Sequence, residues 1–173
     1  MGISSLIYDS WKMECQFRKY DGMLPMLEGV NLRGKVLDVG IGTALFEEFL
    51  RGKGVILDVV GIDEDPTMLK TAIKKGYNTI HCTAEKLPFE DDSFDFVVCL
   101  DTLHATQARR AVSEMRRVLK PRGHVLISKF CNVFNKAQAL EELIELSYGL
   151  DVISQKIVGR SDDELSAVIL CRK

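Results

Sequence analysis

Val36-Leu37-Asp38-Val39-Gly40-Ile41-Gly42-Thr43-Ala44 is the stretch on which the fold turns. An apolar run carrying one acid ends in a tight glycine turn, and a helical pattern begins at once. Leu45, Phe46, Phe49 and Leu50 then form one apolar stripe through Arg51, and Gly52 and Gly54 end it. A strand, a glycine turn and a helix in that order are the opening unit of a parallel sheet covered by helices. The first switch point of such a sheet is where ligands bind. Glycine there lets backbone approach a ligand closely, and the unpaired N–H groups of the following helix favour an anionic group such as a carboxylate.

Outward from this unit the alternation continues. Lys35–Val39 reads as the first strand and Ile56–Ile62 as the second. Pro66 opens a helix that runs to Lys75, because proline is tolerated at a first helical position. Tyr77–Thr83 and Phe94–Leu100 read as strands three and four, and Thr106–Leu119 as a helix. Pro121-Arg122-Gly123 turns into a fifth strand, His124–Lys129, and Lys136–Ser147 is helical. Val152–Val158 and Leu165–Cys171 have too few residues between them for a parallel crossover and should pair antiparallel. The expected architecture is an α/β, Rossmann-like doubly wound sheet of seven strands. Five are parallel, a C-terminal antiparallel hairpin follows, and helices cover both faces. Residues 1–33 read as an N-terminal helical cap and residues 34–173 as the ligand-binding domain. Tyr8, Trp11, Phe17 and Tyr20 in the cap invite a lid reading, although core packing is the commoner explanation for such residues.

Composition narrows the rest. The 173 residues, 46% hydrophobic and 28% charged, fit one globular domain. A net charge of -2 argues against a large electrostatic footprint for nucleic acid, which could enter only as a substrate. The five cysteines show no CxxC spacing, so no metal site is expected and a reducing compartment fits. Asp9, Lys12 and Glu14 interrupt the start before a signal-like run forms, and no stretch approaches the roughly 20 apolar residues of a bilayer span. A cytoplasmic protein without membrane contact is expected.

A dinucleotide fingerprint wants a third glycine three residues after Gly42, where this chain has Leu45, so no pyrophosphate cradle is written. Asp63, however, ends Val59-Val60-Gly61-Ile62-Asp63 roughly 20 residues after the turn, where Rossmann-like sites hold a ribose. The plainer reading is that Asp63 only caps the next helix or solubilises a turn.

Four ordered segments carry a resemblance. They are Leu37–Thr43; Gly61-Ile62-Asp63-Glu64-Asp65-Pro66-Thr67-Met68-Leu69; Ala84-Glu85-Lys86-Leu87-Pro88-Phe89 running into Asp92-Ser93-Phe94-Asp95; and Arg117-Val118-Leu119-Lys120-Pro121-Arg122-Gly123. Together they resemble the class I S-adenosylmethionine-dependent methyltransferases, especially the small type found among quinone-biosynthesis enzymes, over nearly all the chain after residue 33. The resemblance implies S-adenosylmethionine as cofactor. It implies Asp38, Gly40 and Gly42 around the methionine end, Asp63 on the ribose, and Glu64 and Met68 beside the adenine. It places a backbone N–H of Thr83-Ala84-Glu85 against an adenine nitrogen, and the Leu100 carbonyl near the ammonium.

Two departures stand out. Ala44 replaces a frequent third glycine, a mild change if its φ is negative. Thr83 stands where relatives commonly carry an aspartate, and a neutral acceptor is weaker than a charged one. Weakened cofactor binding, helped by an activating partner subunit, is therefore expected. Methyl transfer from a sulfonium needs alignment above all, and a base only when the acceptor must lose a proton. His104 and Asp101, after the fourth strand, are the candidates for that base. The acceptor is open between a small metabolite and an RNA or protein of the translation machinery. The short segment before the final strands predicts an open cleft. The rival reading is a catalytically silent S-adenosylmethionine-binding regulatory or scaffold subunit.

Overall fold

The computed structural model describes residues 5–159 and 164–173, with side chains from residue 13 onward. Tyr8 and Trp11 lie outside the described side chains. The chain begins with α1 (Ser5–Met23) and a 3-10 turn at Leu24–Leu27, and continues β1 (Lys35–Val39), α2 (Leu45–Gly52), β2 (Asp58–Asp63), α3 (Pro66–Lys74), β3 (Asn78–His81) and β4 (Phe94–Leu100). A second 3-10 turn at Leu103–Ala105 precedes α4 (Ala108–Val118), β5 (Leu119–Cys131), α5 (Lys136–Leu146), β6 (Asp151–Gly159) and β7 (Leu165–Arg172). The strands form a single sheet in the order β3-β2-β1-β4-β5-β7-β6, with β1 to β5 parallel and β7 antiparallel to both its neighbours. The seven-stranded, five-parallel architecture read from the sequence is the one found.

Strand alternation divides the core between two faces. Leu37, Val97 and Ile127 point toward α4 and α5, where they meet Val112, Met115 and Leu143. Val36, Phe96, Val98 and Leu126 point the other way, toward Met23 of α1 and Phe46, Phe49 and Leu50 of α2. Asp38 shares the face of Val36 and so looks toward α2. The aromatics Phe17 and Tyr20 pack in this second core. Tyr20 meets Phe46 edge-on at 5.2 Å and Phe17 meets Phe49 at 5.3 Å, which is core packing.

Several boundaries differ from the sequence reading, each for a local reason. α2 starts at Leu45 because Ala44 sits in the left-handed region at φ 62, contrary to the condition of a negative φ. Its methyl is fully buried, so packing holds a conformation that ordinarily costs about 1–2 kcal/mol. β2 begins at Asp58, and Ile56 is 81% exposed. β5 runs back to Leu119, because Pro121-Arg122-Gly123 is a bulge within the strand. Phe94 pairs with Leu119 and Phe96 with His124, with Arg122 at φ 65 between.

α4 carries Arg109, Arg110, Arg116 and Arg117, and the last of these is drawn inward. Arg117 bonds Glu114 and Asp91 at 2.7 and 2.8 Å and donates to the carbonyls of Phe89 and Leu87. Glu114 in turn accepts from the Leu87 N–H. This buckle moors the whole β3–β4 connection to α4, and the two carboxylates raise the Arg117 pKa.

Candidate functional site

The order reversal between β1 and β4 leaves a crevice at the carboxyl ends of β1, β2 and β4. It consists of a cavity of about 430 Å³ and an adjoining one of about 440 Å³. Gly40, Asp63, Asp65, Thr102 and Ala105 line both, so the two are continuous.

The first cavity lies over the glycine turn. The N–H groups of Gly40 and Ile41 both donate to the Ile62 carbonyl, at 2.8 and 3.0 Å, which ties the turn to β2. The two glycines do different work. At Gly40 (φ 84) a Cβ would stand 2.3 Å from the Thr102 hydroxyl, so this glycine admits the loop after β4. At Gly42 (φ 55) a Cβ would meet nothing within 4 Å. Only Gly42 leaves its open side to a ligand.

Asp63 is the hinge of the crevice. Its Oδ2 accepts from Gly42 N–H and its Oδ1 from Asp65 N–H, both at 2.9 Å. Each oxygen keeps a second lone pair, and the two backbone bonds fix the carboxylate's orientation. The cap of α3 is Asp65, which accepts from Thr67 N–H at 2.7 Å, while Asp63 holds the turn that leads into it through the Asp65 N–H.

Asp38 lies at the floor of the first cavity, 4% exposed. Beneath it is a residue the sequence reading missed. Glu47 of α2 is 2% exposed, and neither of its carboxylate oxygens has a hydrogen-bond donor among the described residues. Burial pushes the Asp38 carboxyl well up, and the facing Glu47 carboxyl pushes it further; burial also raises Glu47. As two carboxylates the pair has acceptors and no donor.

Asp101 follows β4 at φ 53 and is committed to the fold. Its Oδ1 accepts from the Ser128 hydroxyl at 2.8 Å; its Oδ2 accepts from the Ser166 hydroxyl at 2.9 Å and from Lys19 Nζ at 3.2 Å. Ser128 and Ser166 are fully buried and Lys19 is 3% exposed. Three donors hold this carboxylate, which suits a positioning role better than that of a base. His104 is exposed at the mouth of the same cavity. Gln16 and Tyr20 of α1 form part of its wall, with Met68 of α3.

The second cavity is mostly apolar, with Ile62, Cys82 and Ala84 in its lining and Glu64 at its edge. Thr83 and Glu85 are not in that lining. The Glu85 carboxylate instead accepts the Gln107 N–H at 2.5 Å, a bond that lowers its pKa. Met68 belongs to the first cavity rather than beside Glu64, and the Leu100 carbonyl accepts from the Thr102 hydroxyl at 3.1 Å while lining the first cavity.

Comparison with known proteins agrees with this geometry. A methyltransferase-domain family matches residues 37–127, more than half of the chain. A ubiquinone/menaquinone biosynthesis C-methyltransferase from Burkholderia mallei is 38% identical over 109 residues, covering 58% of this chain and 45% of that protein. The chain thus spans about half the length of the curated relatives it matches. Among solved structures, an S-adenosylmethionine-dependent methyltransferase from Aquifex aeolicus superposes with TM-score 0.74 at 20% identity, over 99% of both chains. A chain from a Haloferax volcanii complex that contains the Trm112 methyltransferase activator superposes with TM-score 0.75 at 18% identity, over 98% of this chain and 97% of that one. Fold and crevice together define a class I methyltransferase site. The chain belongs to the methyltransferase-domain family, with S-adenosylmethionine as its cofactor.

The crevice fits that cofactor. It offers an open backbone at Gly42, an acid with spare lone pairs at Asp63, an apolar slot beyond it and a buried acid at Asp38. Among the described residues no helix is long and apolar enough to cross a membrane.

Proposed function

We propose that this protein transfers a methyl group from S-adenosylmethionine to an acceptor entering the crevice at its His104 side. The observation that carries the reading is Asp63, which lines both cavities and is held by two backbone N–H groups with lone pairs to spare. Asp63 accepts from the ribose hydroxyls. Gly42, Asp38 and the Leu100 carbonyl receive the amino-acid end, near Gly40. Glu64 and Ala84 flank the adenine, and Met68 packs closer to the ribose. The cofactor supplies an electrophilic methyl on a good leaving group. The chain's own task is to orient it, exclude water and align the acceptor. His104, exposed at the mouth, accepts a proton from acceptors that must lose one. Asp101 keeps the loop carrying Thr102 and His104 in place. Residues 1–33 act as a helical cap on the domain of 34–173, supported by Gln16 and Tyr20 in the cavity wall.

The acceptor is a metabolite, an RNA or a protein. The Burkholderia relative's name favours a carbon atom of an intermediate in quinone biosynthesis. A partner subunit that completes the site is part of the same proposal, supported by the activator in the Haloferax complex.

The test is transfer of tritiated methyl from the donor into fractionated cell extract, with and without a His104→Ala change. Label in one fraction, reduced in the variant while S-adenosylhomocysteine binding is unchanged, supports the reading. Ligand binding without label in any fraction would refute catalysis.

A further inference from the structure

We propose that Asp38 and Glu47 share one proton beneath the amino-acid end of the crevice, and that a ligand ammonium binding there expels it to solvent. The inference rests on the adenosyl-amino-acid reading of the site and adds a residue and a proton to it. β1 delivers Asp38 to the cavity floor, and Glu47 of α2 is buried as its side-chain neighbour with neither oxygen meeting a donor among the described residues; both acids are almost fully buried. Two carboxylates in that position have no donor between them, so the empty site keeps a proton.

The neighbours reinforce this. Asp63 at the end of β2 adds negative charge near Asp38, and Glu48 adds it near Glu47. On β4, Cys99 is a fully buried neutral thiol, pushed upward chiefly by burial and then by Asp38 and Asp101. Lys75, following α3, is the cation that acts on Glu47, and its Nζ also donates to the Thr43 carbonyl at 2.7 Å. On the α1 side, Lys19 is engaged by Asp101. One lysine does not offset two buried acids beside a third.

An ammonium arriving above Asp38 replaces the proton as the positive partner. Charge balances, because one cation enters and one H⁺ leaves for the buffer. Glu47 thereby makes the site selective for ligands with a cationic amino-acid end, and it makes their affinity depend on pH. Affinity rises by up to about tenfold per pH unit while the empty pair is protonated, until the ligand's own ammonium titrates.

The experiment is calorimetric titration of the whole chain with S-adenosylhomocysteine, in buffers of different ionisation enthalpy, between about pH 5.5 and about pH 8. Methylthioadenosine, which lacks the amino-acid end, is the second ligand. About one proton should be released per S-adenosylhomocysteine bound and none with methylthioadenosine. Glu47→Gln places an amide donor against Asp38 and should flatten the pH profile while binding persists. In parallel, carbon-13 carboxyl NMR of the free protein should reveal an acid titrating above the ordinary carboxylate range, lost in Glu47→Gln. Binding of both ligands with no proton release would overturn the inference and leave the methyltransferase reading standing. Failure of both ligands to bind, with the high-titrating acid present, would overturn that reading and the exchange with it. Two carboxyls titrating in the ordinary range would overturn the shared proton itself.

Discussion

Gly61→Ala probes the joint on which the glycine turn rests. A Cβ at Gly61 would stand 2.3 Å from Ile41 Cδ1 and 2.7 Å from both Ile41 Cβ and Cγ2. Ordinary carbon contacts are about 3.5–4.0 Å. Rotating the Ile41 side chain can move Cδ1 and Cγ2 away but not Cβ, which moves only with the backbone. The turn itself must therefore shift by about 1 Å, and it is bonded to the Ile62 carbonyl through Gly40 and Ile41. Such overpacking costs about 1–3 kcal/mol. The lost freedom of glycine in the unfolded chain returns about 0.4–1 kcal/mol. The net is a destabilisation of about 1–2 kcal/mol, or a Tm lower by about 2–8 °C for a chain of this length. Calorimetric melting measures it, and S-adenosylhomocysteine affinity should fall with it, since Gly42 and Asp63 share the displaced segment. In an Ile41→Ala background two of the three close atoms are gone, so Gly61→Ala should cost less there by about 0.5–2 kcal/mol. A Gly61→Ala protein melting at or above the parent temperature would refute the argument.

Asp63→Asn puts an amide donor against one of the two backbone N–H groups. It should weaken S-adenosylhomocysteine binding by about tenfold to a hundredfold in titration calorimetry, the worth of a charged hydrogen bond; unchanged affinity would remove Asp63 from the site. Lys19→Met strips the cation from Asp101 in a mostly buried pair and should cost about 3 kcal/mol in urea unfolding. A loss below about 0.5 kcal/mol would mean that the pair acts like an exposed one. The raised Asp38–Glu47 pair makes its contribution to stability in full below the ordinary carboxylate range, and that contribution is lost as pH rises through the folded value. The melting temperature should therefore decline above mildly acid pH less steeply in Glu47→Gln than in the parent, by parallel thermal melts across pH.

Local pattern carried the sheet. β1 and β4 end where their apolar runs end, because both are central strands buried on both faces. The edge strand β3 came out shorter than its pattern, Asn78–His81 against Tyr77–Thr83, since Tyr77 turns aside to bond Glu48 at 2.6 Å. The glycine turn and Asp63 were legible because backbone geometry and chain spacing write them into neighbouring residues. Asp101 was not, since its three donors come from α1, β5 and β7. Glu47 was hidden for a related reason. It lies at the margin of the α2 apolar stripe, and only the packed sheet determines that this margin is covered. The partners of Arg117 were hidden as well, because they lie on the β3–β4 connection that folds back over it.

The node at Asp101 also sets a timetable. Lys19 lies 82 residues before it and Ser166 65 residues after it. Closing loops of that size is entropically slow, and neither closure helps until the sheet has aligned its strands. The mouth of the crevice is thus tied to the alignment of distant strands, while the turn at Gly40 and Gly42 needs only β1 and β2 beside it. During synthesis Ser166 is the last of the three donors to emerge, so a chain that lacks β7 holds the glycine turn with the Asp101 post still incomplete.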